Sequence, residues 1–135
     1  MPLLLDTGVL YALADRDDAW HRRSRDLVKK TRETLLVPVT VLPEVCYLLR
    51  ERLGPAAEMA FVRSAARGEL AVENLAEADL VRATTLMRDY SEIGFVDASI
   101  VAIAERLALR TVATTDRRHF AAIRPRHVPS FVLVP

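Results

Sequence analysis

The sequence predicts an α/β fold in which a parallel sheet carries helices on both faces. Short apolar runs of strand length, Leu3–Leu5 first among them, read as strands covered on both sides rather than alternating ones. Between these runs lie longer stretches with three- and four-residue apolar spacing, the mark of surface helices. With only 4 Gly and 7 Pro in 135 residues, the connections must be short.

Taken in order, Leu3–Leu5 is the first strand and stops at Asp6. From Ala19 onward, Trp20, Ser24, Leu27, Val28 and Thr31 recur at helical spacing, with Arg22, Arg25, Lys29 and Arg32 on the opposite side. "TLLVPVT" gives a second strand ending near Pro38. Thr40 then suits the cap of a helix whose first turn holds Pro43, where a missing N–H costs little, and Glu44. Gly54-Pro55 ends that helix, and another spans residues 56–66. Met59, Phe61 and Val62 in it are expected to pack into the core, although they also suit a partner helix laid in a groove. "ELAVENL" supplies a third strand and residues 77–90 an amphipathic helix. "VDASIVAIAERLAL" is apolar nearly all round, which marks a central buried helix, and it carries Asp97 in its first turn. "RTVATTD" is a strand ending in Asp116, and "SFVLV" a last short strand.

Length, 51% hydrophobic residues and a mean hydropathy of +0.14 fit one compact domain over residues 1–135. No apolar run approaches the ~18 residues that span a bilayer, and no signal peptide shows at the start, so the expectation is a cytoplasmic protein with no membrane association. The single Cys46 lies among apolar neighbours and is expected to be a small buried hydrophobe. A net charge of +1 and a pI near 8.0 do not announce a nucleic-acid binder, so any phosphate contact must come from local clusters of bases.

Four acids stand out by position. Open parallel sheets bind ligands at the carboxyl ends of their strands, where the following helices begin. Asp6 and Asp116 end strands, while Glu44 and Asp97 lie in the first turns of helices expected to start at that same edge. Each position has a plain structural explanation, since acids complement helix N-termini and Asp favours turns. The four together are another matter, because clustered carboxylates repel unless a cation neutralises them. Oxygen donors without a His/Cys set favour Mg²⁺ or Mn²⁺ over zinc or copper.

These residues resemble the PIN-domain nucleases, and within them the VapC-type toxins of toxin–antitoxin pairs. The resemblance rests on "LLLDTGVLYAL", "TVLPEVCYLL", "GFVDASIVAIAERL" and "VATTDRRHF", in that order and spacing, and spans essentially the whole chain. It implies a three-layer α/β/α fold with a central, mainly parallel, four- to five-stranded sheet. It also implies a Mg²⁺- or Mn²⁺-dependent endoribonuclease, with Asp6, Glu44, Asp97 and Asp116 as catalytic and metal-binding residues. An RNA substrate, a homodimer and a small cognate VapB-like antitoxin that occludes the site complete the picture. Two positions depart from the commoner pattern. Gly8 stands where many relatives carry Ser or Asn, leaving Thr7 and Thr115 as supporting hydroxyls, and His119 stands where an acid is frequent.

Metal ions held by the four acids would orient a water, lower its pKa and stabilise charge on the scissile phosphate. Asp6 and Asp97 are expected as direct ligands, Asp116 as a ligand or water-mediated partner, and Glu44 as a ligand or orienter of the attacking water. Arg117 and Arg118, directly after Asp116, are placed to clamp RNA phosphate, and His119 is a further RNA contact. The basic run "HRRSRDLVKKTR" reads as a solvated helix face.

Other readings fit less well. Asp6-Thr7-Gly8 is also the triplet of retroviral-type aspartic proteases, but those are all-β dimers with Gly-rich flaps. A phosphoacceptor receiver domain needs a lysine near its last strand, and none occurs after Lys30. A catalytically inactive PIN-like RNA- or protein-binding module remains as the alternative from a different class, and the four intact acids argue against it.

Overall fold

The computed structural model describes residues 1–135. Its elements run β1 (Leu3–Leu5), α1 (Thr7–Ala14), α2 (His21–Lys30), β2 (Leu35–Pro38), α3 (Val41–Leu53), α4 (Pro55–Ala66), β3 (Ala71–Glu73), α5 (Glu77–Asp89), α6 (Phe95–Arg106), β4 (Thr111–Ala113), α7 (Arg117–Ala122) and β5 (Val132–Val134). The five strands form one sheet in the order β3-β2-β1-β4-β5, and every pairing is parallel. No helix is long and apolar enough to cross a membrane.

The strands are apolar throughout because each one feeds two cores. Along β1, Leu4 packs on one side with α5, α6 and α7, whereas Leu3 and Leu5 pack on the other with α1 and α3. Val112 and Ala113 of β4, and Leu36 and Val37 of β2, divide in the same way. On the first side α6 buries Ala98 to Ala104 without interruption, as its all-round apolarity requires. On the second side Val41, Val45 and Leu49 of α3 lie against the sheet at helical spacing.

Several expectations change. The "TGVLYALA" stretch that follows β1 is a helix of its own, α1, which its unbroken apolarity concealed. The six-residue α7 is likewise additional. In α4 no residue is buried: the helix lies outside α3, so Met59 (57% exposed) and Val62 (50%) face outward instead of filling the core. Cys46 is half-buried rather than enclosed, and burial raises its thiol pKa. Thr40 sits in helical geometry and gives α3 no side-chain cap, because its hydroxyl is engaged elsewhere.

The strand order fixes the functional edge. From β1 the chain moves outward to β2 and β3, then crosses back to β4 on the other flank of β1. The two directions part between β1 and β4, and a crevice opens at the carboxyl ends of such neighbours. Asp6 follows one of these strands directly, and Thr114, Thr115 and Asp116 follow the other.

Candidate metal-binding site

Asp6 is the innermost acid. Its backbone N–H continues the ladder to Ala113 O at 2.9 Å, and its side chain caps α1 by accepting Thr7 N–H at 2.7 Å. The other carboxylate oxygen accepts the hydroxyl of Thr114 at 2.8 Å. Even so, Asp6 is only 5% exposed, and its pKa is raised from 3.8 to about 6. Burial is the main cause, the two hydrogen bonds oppose it, and the charges of Asp97 and Glu44 add to it.

Glu44 enters from the exposed first turn of α3 and is held by Thr7, whose hydroxyl donates to Oε1 at 2.6 Å. Thr7 therefore joins the first two acids: its N–H caps one and its O–H anchors the other. Asp97 enters from the first turn of α6 and is half-buried. Its pKa is also raised, first by burial and then by the charge of Asp116, against which His119 acts. Asp116 caps α7, accepting His119 N–H at 3.4 Å, while its own N–H donates to Thr114 Oγ1 at 2.9 Å. A single buried hydroxyl, that of Thr114, thus bonds to Asp6 and to the backbone of Asp116.

His119 alters the expected donor set. One helical turn beyond Asp116, it brings Nδ1 to 2.8 Å from Asp116 Oδ2 and 3.4 Å from Asp97 Oδ2, close to both carboxylates but without hydrogen-bond alignment. Asp97, Asp116 and His119 each offer a ligand atom, all within 4.8 Å of one another. An expectation of oxygen donors with no nearby histidine is therefore corrected: the i, i+3 spacing on α7 turns the imidazole toward the carboxylates. Arg117 instead donates to the backbone oxygen of Pro135, and Arg118 lies 4.0 Å from Glu92 with both side chains exposed.

The scaffold beneath is tied by a second pair of hydroxyls. Ser99, fully buried on α6, donates to Val96 O at 2.6 Å, and Thr40 donates to Ser99 Oγ at 2.6 Å. This bond links the start of the helix carrying Glu44 to the start of the helix carrying Asp97. Gly8 and Thr115 also interlock, since a Cβ on Gly8 would lie 2.1 Å from Thr115 Oγ1. Thr115 thus occupies the space that a side chain at position 8 would take, and Thr114 is the hydroxyl that reaches Asp6.

The donors suit a hard divalent cation: oxygen atoms dominate, and the repulsion that raises Asp97 would be relieved by positive charge. An all-parallel sheet whose central strand leads into Asp6, with Asp97, Asp116 and His119 clustered at the same edge and Glu44 tied to Thr7, defines an α/β protein with an acid-lined cleft. The PIN domain family model matches residues 3–124, and the chain belongs to that family, among its VapC-type members. It is 33% identical to Ribonuclease VapC26 of Mycobacterium tuberculosis over 98% of this chain and 100% of that one. Among solved structures it is similar to M. tuberculosis VapC20, described as a sarcin–ricin loop cleaving toxin, with a TM-score of 0.83 and 23% identity over 94% of this chain and 98% of that one. It also resembles a chain of a toxin–antitoxin complex from Klebsiella pneumoniae, with a TM-score of 0.72 and 18% identity over 96% and 99% of the two chains.

Proposed function

We propose that this protein is a Mg²⁺- or Mn²⁺-dependent endoribonuclease acting as the toxin of a toxin–antitoxin pair. The observation that carries the proposal is the gathering of Asp97, Asp116 and His119 within 4.8 Å of one another at the sheet edge where Asp6 ends β1, with the charges of Asp97 and Glu44 acting on Asp6. When bound there, the cation supplies charge neutralisation at the phosphate and an acidified water. Asp6 and Asp97 would hold it, Asp116 would do so directly or through water, and His119, whose ring offers a ligand atom beside those of Asp97 and Asp116, would join them or steady both carboxylates. Glu44, exposed and held by the Thr7 hydroxyl, would serve as a further ligand or orient the attacking water and accept its proton. Arg117 and Arg118 beside Asp116 hold the RNA backbone.

The expected antitoxin contributes an apolar helix. A groove of about 530 Å³ between α1, α2 and α4 is lined by Leu10, Leu13, Val28, Ala57, Phe61 and Leu70, and it fits such an element. A homodimer would place two acid clusters in one assembly.

The test is cleavage of total cellular RNA and of an isolated sarcin–ricin stem-loop by purified protein in Mg²⁺, Mn²⁺ or EDTA, with Asp97→Asn protein alongside. Metal-dependent fragments absent from the Asp97→Asn lane are expected. Full activity of that variant, or no cleavage under any condition, sinks the reading, and the second result leaves a binding module.

A further inference from the structure

Beside the acids, the sole tryptophan of the chain gathers two arginines from different elements. The Arg23 guanidinium of α2 lies 4.1 Å from the centre of the Trp20 ring, and that of Arg117, next to Asp116, lies 5.7 Å from it. The Arg23 guanidinium forms no ion pair or hydrogen bond with another side chain, whereas that of Arg117 is shared with the oxygen of Pro135. The support is firm: Trp20 N–H donates to Asp18 Oδ1 at 2.8 Å, and the ring of the next residue, His21, bonds to Ala12 O at 2.7 Å. The edge of the sheet is reached from the far side as well, since Arg117 also holds the backbone oxygen of Pro135, just past β5.

An isolated surface cation–π pair stabilises a fold only slightly. A guanidinium stacked on the sole indole, with a second beside the same ring and next to the acid cluster, matches what single-stranded RNA offers: phosphates for the forks, and flat bases that stack on indole or guanidinium planes. The geometry points to Trp20, Arg23 and Arg117 as a nucleotide subsite that binds the RNA segment adjoining the scissile phosphate. This rests on the nuclease reading for its position and extends it to substrate binding. It also takes Arg23 out of the merely solvated face of α2, and it requires no base-specific contact, so the subsite supplies affinity and register rather than sequence choice.

Because Trp20 is the sole tryptophan, its fluorescence reports on this site alone. In an Asp97→Asn background, which prevents cleavage, a fluorescein-labelled single-stranded RNA of mixed sequence is titrated while anisotropy and, with unlabelled RNA, Trp20 emission are followed. Saturable change in Trp20 emission at the concentration where anisotropy rises is expected. Trp20→Ala should weaken binding ~10-fold and Trp20→Phe much less, by loss and retention of stacking. Arg23→Ala should lower the salt slope by about 0.7, the value of one phosphate contact on a single strand. Thermal melts check that each variant is folded. Binding that leaves Trp20 emission unmoved, or Trp20→Ala binding within twofold of its parent, overturns the subsite. A parallel assay of the otherwise wild-type protein separates the two ideas: metal-dependent cleavage indifferent to Trp20→Ala sinks only the subsite, whereas Trp20-dependent binding without cleavage sinks only the nuclease.

Discussion

Gly8 and Thr115 face each other across the gap between β1 and β4, so closely that the hydroxyl of one fills the place where the other would carry its Cβ, 2.1 Å away. A small residue at 8 and a hydroxyl at 115 are therefore one feature. Gly8→Ser should cost about 1–3 kcal/mol by overpacking. Thr115→Ala, which removes the obstructing oxygen, should restore much of the loss when combined with it, so the pair gives a large coupling energy in a double-mutant cycle. Additive effects in urea unfolding would refute the interlock.

Asp6 makes the metal-free protein less stable as pH rises. Its folded pKa of about 6 exceeds the ordinary 3.8, so between those values the native state binds more protons than the unfolded chain and stability falls with pH. The loss reaches about 3 kcal/mol by neutral pH and levels off above the folded pKa. Denaturant unfolding in EDTA from pH 4 to 7.5 should show this decline, and Asp6→Asn should flatten it.

Asp97→Asn should separate stability from activity. With EDTA, loss of a carboxylate crowded by Asp116 should leave the melting temperature equal or higher. With Mg²⁺ or Mn²⁺, the wild type should gain stability by ligand linkage while the variant gains less. Cleavage should fall by about 100-fold or more, the worth of several kcal/mol of charge stabilisation. A variant stabilised by metal as much as its parent would remove Asp97 from the ligand set.

Ser99→Ala should loosen the tie between α3 and α6. It leaves the Thr40 hydroxyl without its partner, at a cost of about 1–3 kcal/mol. Replacing both partners, as in Thr40→Val with Ser99→Ala, should cost less than the sum of the single changes. Chemical denaturation of the four proteins measures this, and simple additivity would count against the bond.

Phe61→Glu, in the apolar groove, should weaken inhibition by the cognate antitoxin while RNA cleavage by free protein persists. Titration of nuclease activity with purified antitoxin reads both quantities. Unchanged inhibition would move the docking site elsewhere.

The legible parts of this molecule are those set by residue type at a local position. Leu3–Leu5 reads as a doubly covered strand because both faces demand apolar side chains, and Asp6, Glu44, Asp97 and Asp116 mark strand ends and helix starts. What sequence left hidden depends on neighbours distant in the chain. Nothing in "VATTD" tells Thr114, which bonds to Asp6, from Thr115, which packs on Gly8. Thr40 suits a cap by type, yet Ser99, 59 residues away, takes its hydroxyl. His119 joins the acids only because a turn of α7 forms, and Met59 and Val62 face outward only because α4 stands beyond α3.

The hydroxyl of Thr114 closes on a carboxylate 108 positions earlier in the chain. The innermost acid is synthesised 108 residues before the hydroxyl that closes on it. A nascent chain halted anywhere before that hydroxyl has no assembled pocket, whatever its earlier helices have achieved. For a protein proposed to attack RNA, this order of manufacture is a safeguard: the acids cannot come together until β4 has been made.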